Sequence, residues 1–324
     1  MDARSHIKGG ITIGIIAWII LALVLQGFLF TWIVAGIIYS RLLVRPGKDG
    51  WGRGPSMPDD PEYMQLYDQA EAWHEQWKDR IKEVDTISEG YHLYGELFDF
   101  GSDKTVIILS GRMESCHYGC HYAEPYRRAG WNVLTIDGRA HGLSDGKINS
   151  LGYREYRDVL AWAKLLHEQE KSRLVLFHGI CIGSSTAVFA AVSPSCPDYV
   201  AGIVADGMYQ RFMDSFRNHM AKDHRPQFPF LWETMVLIRL ISGANVVTDG
   251  PYKRIRALTR PILFLHSRED PFSTPEKAQQ LYDLCPSAKK KIVWFDHGGH
   301  SRLRITNPEA YDQAIVDYLT DLAL

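Results

Sequence analysis

The chain has few cysteines and no excess of charge of either sign. Its 324 residues include five Cys, 36 Lys or Arg and 38 Asp or Glu, so the formal net charge is −2. Five cysteines in so long a chain do not make the framework of a disulfide-rich domain, and a reducing compartment is the simpler interpretation. Because there is no basic excess, we expect no nucleic-acid partner.

The sequence also lacks internal repeats, low-complexity tracts and a disordered composition. Hydrophobic residues make up 46% and charged residues 23% of the chain, which is typical of globular proteins. The length predicts one large domain, or two small ones, with an appendage.

One long segment carries no charge at all. It reads ITIGIIAWIILALVLQGFLFTWIVAGIIY and runs over 29 residues, from Ile11 to Tyr39. As a helix it would extend about 43 Å, enough for one tilted crossing of a hydrocarbon core about 30 Å thick and too little for two. A cleaved signal peptide would have an apolar region of only about 7–15 residues. We therefore predict a single uncleaved anchor, with Trp32 and Tyr39 at the headgroup level.

Basic residues on the two sides of this run predict its orientation. Two precede the run and four follow it: Arg4 and Lys8, then Arg41, Arg45, Lys48 and Arg53. By the positive-inside rule this difference favours, by a slight margin, the cytoplasmic face of the membrane for the rest of the chain.

We divide the chain into three parts. Residues 1–44 are the N-terminal tail and transmembrane anchor, residues 45–82 a linker and a lead-in helix, and residues 83–324 the main domain. The linker, RPGKDGWGRGPSMPDD, is rich in Gly and Pro, and Asp60 followed by Pro61 marks the start of the lead-in helix.

The main domain alternates short apolar runs with amphipathic stretches. This pattern predicts an α/β fold with a mostly parallel sheet of about eight strands and helices on both faces, opened by an antiparallel hairpin around Glu89-Gly90. About 55 residues separate the strand ending at Ala205 from the strand starting at Pro261, too many for a plain crossover. Their Met, Phe and Trp content predicts a helical cap, about 207–258, over an apolar pocket.

A glycine-flanked cysteine follows one predicted strand. After residues 173–177 the chain reads HGICIGSS, a G-x-C-x-G turn that leads into a helix and centres on Cys181. Only small residues two positions either side tolerate such a sharp turn, and the helix N-terminus would favour a thiolate and a developing oxyanion. Taken alone, the motif is more often a buried structural cysteine in a Gly-rich turn than a nucleophile.

Two further residues support a catalytic interpretation. Asp270 and His300 each lie in a loop after a later predicted strand, which gives the chain order nucleophile, acid, histidine at the carboxyl ends of strands. Asp206 is the rival acid, because it ends the strand before the cap. His297 is the rival base, and Asp296 could be its partner.

These residues resemble the α/β-hydrolase superfamily from about Val84 to the C-terminus. More narrowly, they resemble its N-terminally anchored bacterial members that have a lead-in helix before the sheet. The stretch DGRAHGLS (137–144) is similar to the family's D-x-R-x-H-G-x-S turn, and HSREDPF (266–272) is similar to its H-G-x-x-D-x-x loop. The resemblance implies that Cys181 is the nucleophile, Asp270 the acid and His300 the base.

The sequence departs from the family at two places. Cys181 stands where most members have Ser, a feature shared with dienelactone hydrolases, and the family's His-Gly after the third strand is here Ser110-Gly111. Because oxyanion donors are backbone groups, the N–H groups of Ile182 and of Arg112 (or Met113) can still serve.

A cysteine nucleophile predicts hydrolysis of an ester, lactone or thioester through an acyl-enzyme. An amide is disfavoured, because the thiolate leaves its tetrahedral adduct more readily than an amine does. Acyl transfer to an acceptor other than water, or a non-catalytic binding role on the same scaffold, are the alternatives. The partner we expect is a small-molecule acyl substrate, hydrophobic or lipid-like in view of the apolar cap and the anchor. The sequence does not indicate an oligomeric state.

The segment CHYGCH (116–121) offers a possible zinc site, since Cys116 and Cys120 would share one helix face and His117 and His121 the neighbouring one. Its spacing is not that of zinc or haem motifs, however, so the start of a helix after the oxyanion loop is the favoured interpretation. We expect no cofactor and no metal.

Overall fold

The chain folds around one sheet of eight strands. The structure is a computed structural model that describes residues 3–47 and 50–322, and the side chains of residues 3–14 are not described. The strands are β1 (Ile81–Ser88), β2 (Tyr91–Phe98), β3 (Lys104–Leu109), β4 (Asn132–Ile136), β5 (Leu174–Ile180), β6 (Val200–Asp206), β7 (Ile262–Ser267) and β8 (Lys290–Phe295). Lys48, which the orientation argument uses, lies outside the described residues, as do the side chains of Arg4 and Lys8.

The described helices alternate with these strands. They are α1 (Ala3–Leu43), α2 (Pro61–Gln76), α3 (Cys116–Gly119), α4 (Glu124–Arg128), α5 (Tyr156–Glu168), α6 (Ile182–Ala191), α7 (Phe212–Lys222), α8 (Phe230–Ile241), α9 (Pro251–Arg254), α10 (Pro275–Leu284), α11 (Leu303–Thr306) and α12 (Pro308–Asp321).

The sheet has the order β1-β2-β4-β3-β5-β6-β7-β8. β1 and β2 form an antiparallel hairpin, β2 is antiparallel to β4, and all neighbours from β4 to β8 are parallel. The hairpin turns at Glu89 and Gly90, both with positive φ, a conformation that glycine adopts without strain. The prediction of a mostly parallel eight-stranded sheet with an antiparallel opening is confirmed.

Helices cover both faces of the sheet, as parallel strands require. One face packs against α5, α6 and α10 through a core that includes Trp162, Phe177 and Phe264. The other face packs against α2, α4 and α12 and includes Tyr63 and Tyr311. The central strands therefore read as nearly continuous apolar runs, and every residue of β4 is buried.

The lead-in helix begins where the sequence predicts. Asp60 Oδ1 accepts hydrogen bonds from the N–H groups of Glu62 and Tyr63, at 3.0 and 3.1 Å. This is an N-cap, with Pro61 at the first helical position. The domain limits drawn from the sequence stay predictions.

Parts of the segment before this helix contact the rest of the protein. The Arg45 amide donates to the Lys147 carbonyl (2.8 Å), Trp51 is buried and stacks on His141, and the Tyr67 hydroxyl donates to the Arg53 carbonyl. Gly and Pro were correctly interpreted as irregular backbone. Composition does not reveal, however, that the side chains between them pack on the main domain.

Within the described part of the chain, α1 is the one helix long and apolar enough to cross a membrane. Its side chains are exposed from Ile15 to Phe30, and the last turns are then partly buried, with Ala35, Tyr39 and Leu43 inside. Those last turns pack against α8. The sequence predicted the apolar helix and did not predict this contact.

The insertion between β6 and β7 contains α7, α8 and α9. Its apolar side chains form a third cluster that we call the cap cluster. This cluster joins Phe212, Phe216, Met235 and their neighbours to Tyr39 and Leu43 of α1 and to Ile182 at the glycine-flanked turn. The cap therefore contacts both the N-terminal helix and the turn that carries Cys181.

Trp162 lies on α5 and is fully buried against the sheet. We expect Trp162→Ala to reduce the free energy of unfolding by about 3–5 kcal/mol, because a large cavity replaces the indole. The matched control is Ile87→Ala on β1, where the side chain is 71% exposed and the change should stay within about 0.5 kcal/mol. Thermal unfolding in detergent measures both, and equal melting temperatures would contradict this account of the core.

Candidate active site

Cys181 occupies a strained turn between β5 and α6. Its φ is 54° and its ψ −110°, a region that L-residues rarely adopt. A Cβ on Gly179 would lie 2.2 Å from the Gly183 carbonyl carbon, and one on Gly183 would lie 1.9 Å from the Leu109 oxygen. Both glycines are therefore required by the close approach of backbone, which is the physical reason for the G-x-C-x-G pattern.

The turn is also tied to the neighbouring strand. The Cys181 amide donates to the Asp206 carbonyl at 2.9 Å, and the Ser184 hydroxyl lies 2.8 Å from the same oxygen. Asp206 ends β6 beside the end of β5. These bonds therefore fix the turn that carries Cys181, which we call the elbow, to the carboxyl edge of the sheet.

Asp270 and His300 meet at this edge. Asp270 Oδ2 lies 2.7 Å from His300 Nδ1, while Oδ1 accepts the amides of Phe272 and Ser273 at 2.8 and 2.9 Å. Nδ1 is occupied by the carboxylate, and His300 Nε2 has no hydrogen-bond partner among the described residues. The ring is nevertheless close enough to Cys181 for its sulfur to influence the imidazole. The structure thus brings Cys181, Asp270 and His300 together, and their catalytic roles stay predictions.

The electrostatics of the pair favour an imidazolium. Burial by itself lowers the pKa of His300. The Asp270 carboxylate and the Cys181 sulfur raise this pKa by more than burial lowers it, so the net pKa lies well above the ordinary 6.5. Burial likewise raises the pKa of Asp270, yet His300 and the two backbone amides hold it below its ordinary value. The site therefore favours a positively charged His300 imidazole next to the Cys181 sulfur, which must be ionised to a thiolate to act as a nucleophile.

The rival acid and the rival base hydrogen-bond to other groups. Asp206 Oδ2 accepts the Tyr311 hydroxyl at 2.8 Å, and burial raises the pKa of this carboxyl to about 7. His297 pairs with Glu269 at the surface, 3.2 Å away. Neither carboxylate hydrogen-bonds to His300. Gly207, just after Asp206, leaves room for the His300 ring, since a Cβ there would lie 3.4 Å from it.

The loop after β3 carries the other expected oxyanion donor. The Met113 amide donates to His141 Nε2 at 3.2 Å, so Met113 is engaged and Arg112 remains the candidate beside Ile182. Ile182 is the first residue of α6, where an amide has no intrahelical acceptor. The half-buried Arg112 guanidinium interacts electrostatically with Cys181, although desolvation keeps its pKa below the ordinary value.

The DGRAHGLS turn holds this loop from behind. Asp137 Oδ1 accepts the Cys116 amide at 2.8 Å, and His141 Nδ1 donates to the Arg139 carbonyl, which leaves Nε2 as the acceptor for Met113. From the other side, Glu114 accepts hydrogen bonds from Tyr63 of α2 and from Ser56. The resemblance pointed to the turn, but not to this bracing of the loop.

Two cap residues near the site were missed by sequence reasoning. Tyr209 is buried next to Ser185 and Cys181. His219 on α7 stacks on Phe272 with ring centroids 3.5 Å apart, and Phe272 in turn meets His300 edge-on. His219 keeps much of its surface in solvent, and its partial desolvation, together with the positive charges of His300 and Arg112, lowers its pKa to about 4. Both residues lie in a stretch whose composition predicted a cap, but no motif singles them out.

The expected pairings of the CHYGCH segment are only partly present. Cys116 and Cys120 are buried, and burial raises the pKa of both thiols. His117 instead meets His74 and Glu96, and the ligand atoms of these three residues lie within 4.8 Å of one another. The trio could hold a metal ion, but Arg53 lies 3.1 Å from Glu96 and already supplies a positive charge.

The relatives that sequence comparison finds include three distant ones from two yeasts and a bacterium. The chain is 26% identical over 236 residues to the uncharacterized protein YqkD of Bacillus subtilis, covering 72% of this chain and 75% of the relative. It is 24% identical to the uncharacterized membrane protein YNL320W of Saccharomyces cerevisiae (71% and 76%) and 21% identical to the protein bem46 of Schizosaccharomyces pombe (92% and 89%). No model of a known protein family matches the chain.

Comparison with solved structures gives closer agreement in fold. The esterase Pf2001 of Pyrococcus furiosus superposes with a TM-score of 0.65 at 25% identity, over 76% of this chain and 93% of the esterase. The enol-lactonase of Burkholderia xenovorans superposes with a TM-score of 0.52 at 18% identity, over 73% and 100%. The second similarity concerns the fold alone.

Replacing Asp270 should change the protonation of His300. We expect Asp270→Asn to lower the pKa of the imidazole, because it removes the neighbouring negative charge that raises it. The imidazolium should then lose its proton at a lower pH. NMR titration of carbon-labelled histidine rings measures this shift.

Asp206→Asn is the matched control. Its carboxyl is buried near the same ring but hydrogen-bonds to Tyr311 instead, so the shift of His300 should be smaller. An unchanged His300 titration in Asp270→Asn would contradict the assignment of the carboxylate partner.

Proposed function

We propose that this protein, an α/β hydrolase by fold, is a membrane-anchored enzyme that cleaves carboxylic esters, lactones or thioesters through an acyl-enzyme on Cys181. The observation that carries the proposal is His300, which hydrogen-bonds to Asp270 through Nδ1 and lies beside the sulfur of a strained turn. The esterase among the structural neighbours supports the reaction class.

In the acylation step the Cys181 thiolate attacks the carbonyl carbon, and the carbonyl electrons move to the oxygen. The amides of Ile182 and Arg112 stabilise this oxyanion. The imidazolium of His300 then protonates the departing alkoxide or thiolate as the tetrahedral adduct collapses, so the proton goes from His300 to the leaving group. Asp270 keeps the ring in the required orientation throughout.

In the deacylation step neutral His300 takes a proton from water, and the hydroxide attacks the acyl carbon. Collapse of the second adduct releases the acid and returns the sulfur as a thiolate beside the imidazolium. Esters and thioesters suit this cycle better than amides. An alcohol or a thiol leaves the tetrahedral adduct readily, whereas an amine leaves less readily than the Cys181 thiolate, so an amide adduct reverts to substrate. The apolar cap cluster around the elbow suits a hydrophobic acyl group.

Removing the sulfur should abolish turnover. We expect Cys181→Ala to lower kcat on short-chain p-nitrophenyl esters by about 10³-fold or more, as loss of a nucleophile does in related triads. Cys196→Ala is the matched control, since this half-buried thiol lies outside the site, and its activity should match the unmodified protein. A Cys181→Ala protein with full activity would overturn the proposal.

The covalent intermediate gives a second measurement. Intact-mass analysis after exposure to a panel of ester and thioester donors should detect an acyl group on Cys181 that disappears as product forms. Retention of ligand without any adduct or turnover would indicate a binding role instead. Turnover that rises with an added amine or alcohol would indicate acyl transfer to that acceptor.

We further propose that the main domain lies on the cytoplasmic face, since four basic residues follow the apolar run and two precede it. In sealed vesicles with the cytoplasmic face outward, added protease should degrade the main domain without detergent. In vesicles of the opposite orientation the domain should be degraded only after detergent opens them. The reverse pattern would contradict this orientation.

A further inference from the structure

A row of exposed apolar side chains runs along the outer face of the cap helix α8. Phe228, Trp232, Val236 and Leu240 are spaced four residues apart, and their side chains are 81%, 49%, 43% and 74% exposed. This spacing places the three helical members on one side of α8, with Phe228 in the turn before it. We call these four residues the outer row. Contiguous exposed apolar surface of this kind is typical of an interaction site.

The opposite face of α8 is already packed. Leu231, Met235 and Ile238 are buried in the cap cluster with Tyr39 and Leu43 of α1. The helix is therefore apolar on two sides, and only one of them faces the protein. A helix with this pattern needs a second apolar neighbour.

α8 runs beside α1 and in the same direction. The Thr31 hydroxyl donates to Glu233 Oε1 at 2.7 Å, near the start of α8. Near its end, Tyr39 lies beside Ser242. Residues 31–39 of α1 thus run beside residues 233–241 of α8 and the C-cap Ser242 that follows them. The helical part of the outer row consequently lies alongside the uncharged run of α1, where Ile33 and Ile37 are themselves 53% and 50% exposed.

Beyond Thr31 and Glu233, which hydrogen-bond to each other, the first basic residues of the two helices lie near the end of this joint apolar surface. Arg239 comes six residues after Glu233, about 9 Å along α8, and Arg41 comes ten residues after Thr31, about 15 Å along α1. Long basic side chains in such positions reach from apolar surface to the polar headgroups. Both helices therefore change from apolar to basic in the same direction.

The anchor alone does not determine where the membrane surface lies. Its uncharged run would extend about 43 Å against a hydrocarbon core of about 30 Å, and helix tilts seldom exceed about 40°. One end of the run must consequently lie near or beyond the surface. The outer row lies at the level of the C-terminal part of the uncharged run of α1. This position indicates that the C-terminal part of the run stays inside the hydrocarbon core.

We propose that the bilayer crossed by α1 also covers the outer row, so that α8 lies in the membrane boundary beside the last turns of the anchor. The occupant of the exposed face is lipid acyl chain. This inference does not depend on catalysis. If the proposed function also holds, the cap cluster that connects α8 with Ile182 and Cys181 would place the site next to the bilayer and favour acyl substrates that enter from it.

Photolabelling by lipid tests this placement. The full chain carrying Cys181→Ala is reconstituted into phosphatidylcholine nanodiscs in which a fraction of the acyl chains carries a diazirine, and adducts are mapped by peptide mass spectrometry. We expect adducts on Trp232, Val236 or Leu240 as well as on α1. Ile87, equally apolar and exposed on β1, should remain unlabelled.

Adducts confined to α1 would overturn the proposal. So would cross-links between the α8 segments of two chains, because they would identify a second copy as the occupant. The nucleophile is absent in this experiment, so its result is independent of whether the protein is a hydrolase.

Charged substitutions provide the second arm. Val236→Asp combined with Leu240→Asp should reduce lipid labelling of α8 by about tenfold or more, since carboxylates avoid the hydrocarbon, while labelling of α1 between Ile15 and Phe30 stays unchanged. Ile87→Asp is the matched control and should alter neither. Thermal unfolding verifies that both variants fold. Unchanged labelling of α8 in the folded double variant would contradict the proposal.

Discussion

The close approach of backbone around Cys181 is the constraint on which the site depends. Gly183 lies so near the Leu109 carbonyl that no side chain fits between them, and the Cys181 amide bonds to the Asp206 carbonyl. β3, β5 and β6 therefore fix one turn jointly. The strained φ of Cys181 is the consequence, and it persists because three strands and a helix over-determine it. A sulfur held in this way has a constant position relative to the loops after β7 and β8.

Burial and charge oppose each other at the same edge of the sheet. Removal from water would neutralise His300, Asp270 and Asp206 alike. Only the first two face each other, and their attraction keeps the ring positive and the carboxyl negative. Asp206 has a hydroxyl partner instead, and its pKa rises to about 7. Two aspartates close in space thus have pKa values shifted in opposite directions, because one meets a positive ring and the other a neutral hydroxyl.

The anchor and the cap form one structural unit. The last turns of α1 are buried against α8, and the hydrogen bond between Thr31 and Glu233 joins the two helices where the apolar run enters the protein. The N-terminal helix is therefore not a tether at the end of a mobile linker. The segment after it is held as well, because Trp51 and Arg45 pack on the turn that supports the oxyanion loop.

The sequence alone determined the order of strands and helices along the chain and the apolar N-terminal helix. It also determined the cap insertion and the three residues that meet at the turn between β5 and α6. These features depend on periodicity, on glycine at a tight turn and on residues that follow strands, all of which are local. Only the tertiary structure decided that Arg45 and Trp51 pack on the domain. The same is true of the contacts of His117 with His74 and Glu96, of the places of Tyr209 and His219 near the site, and of the pairing of α1 with α8. Each of these contacts joins segments far apart in the chain. They depend on complementary shape and burial across that separation, which leave no periodic signature in either segment.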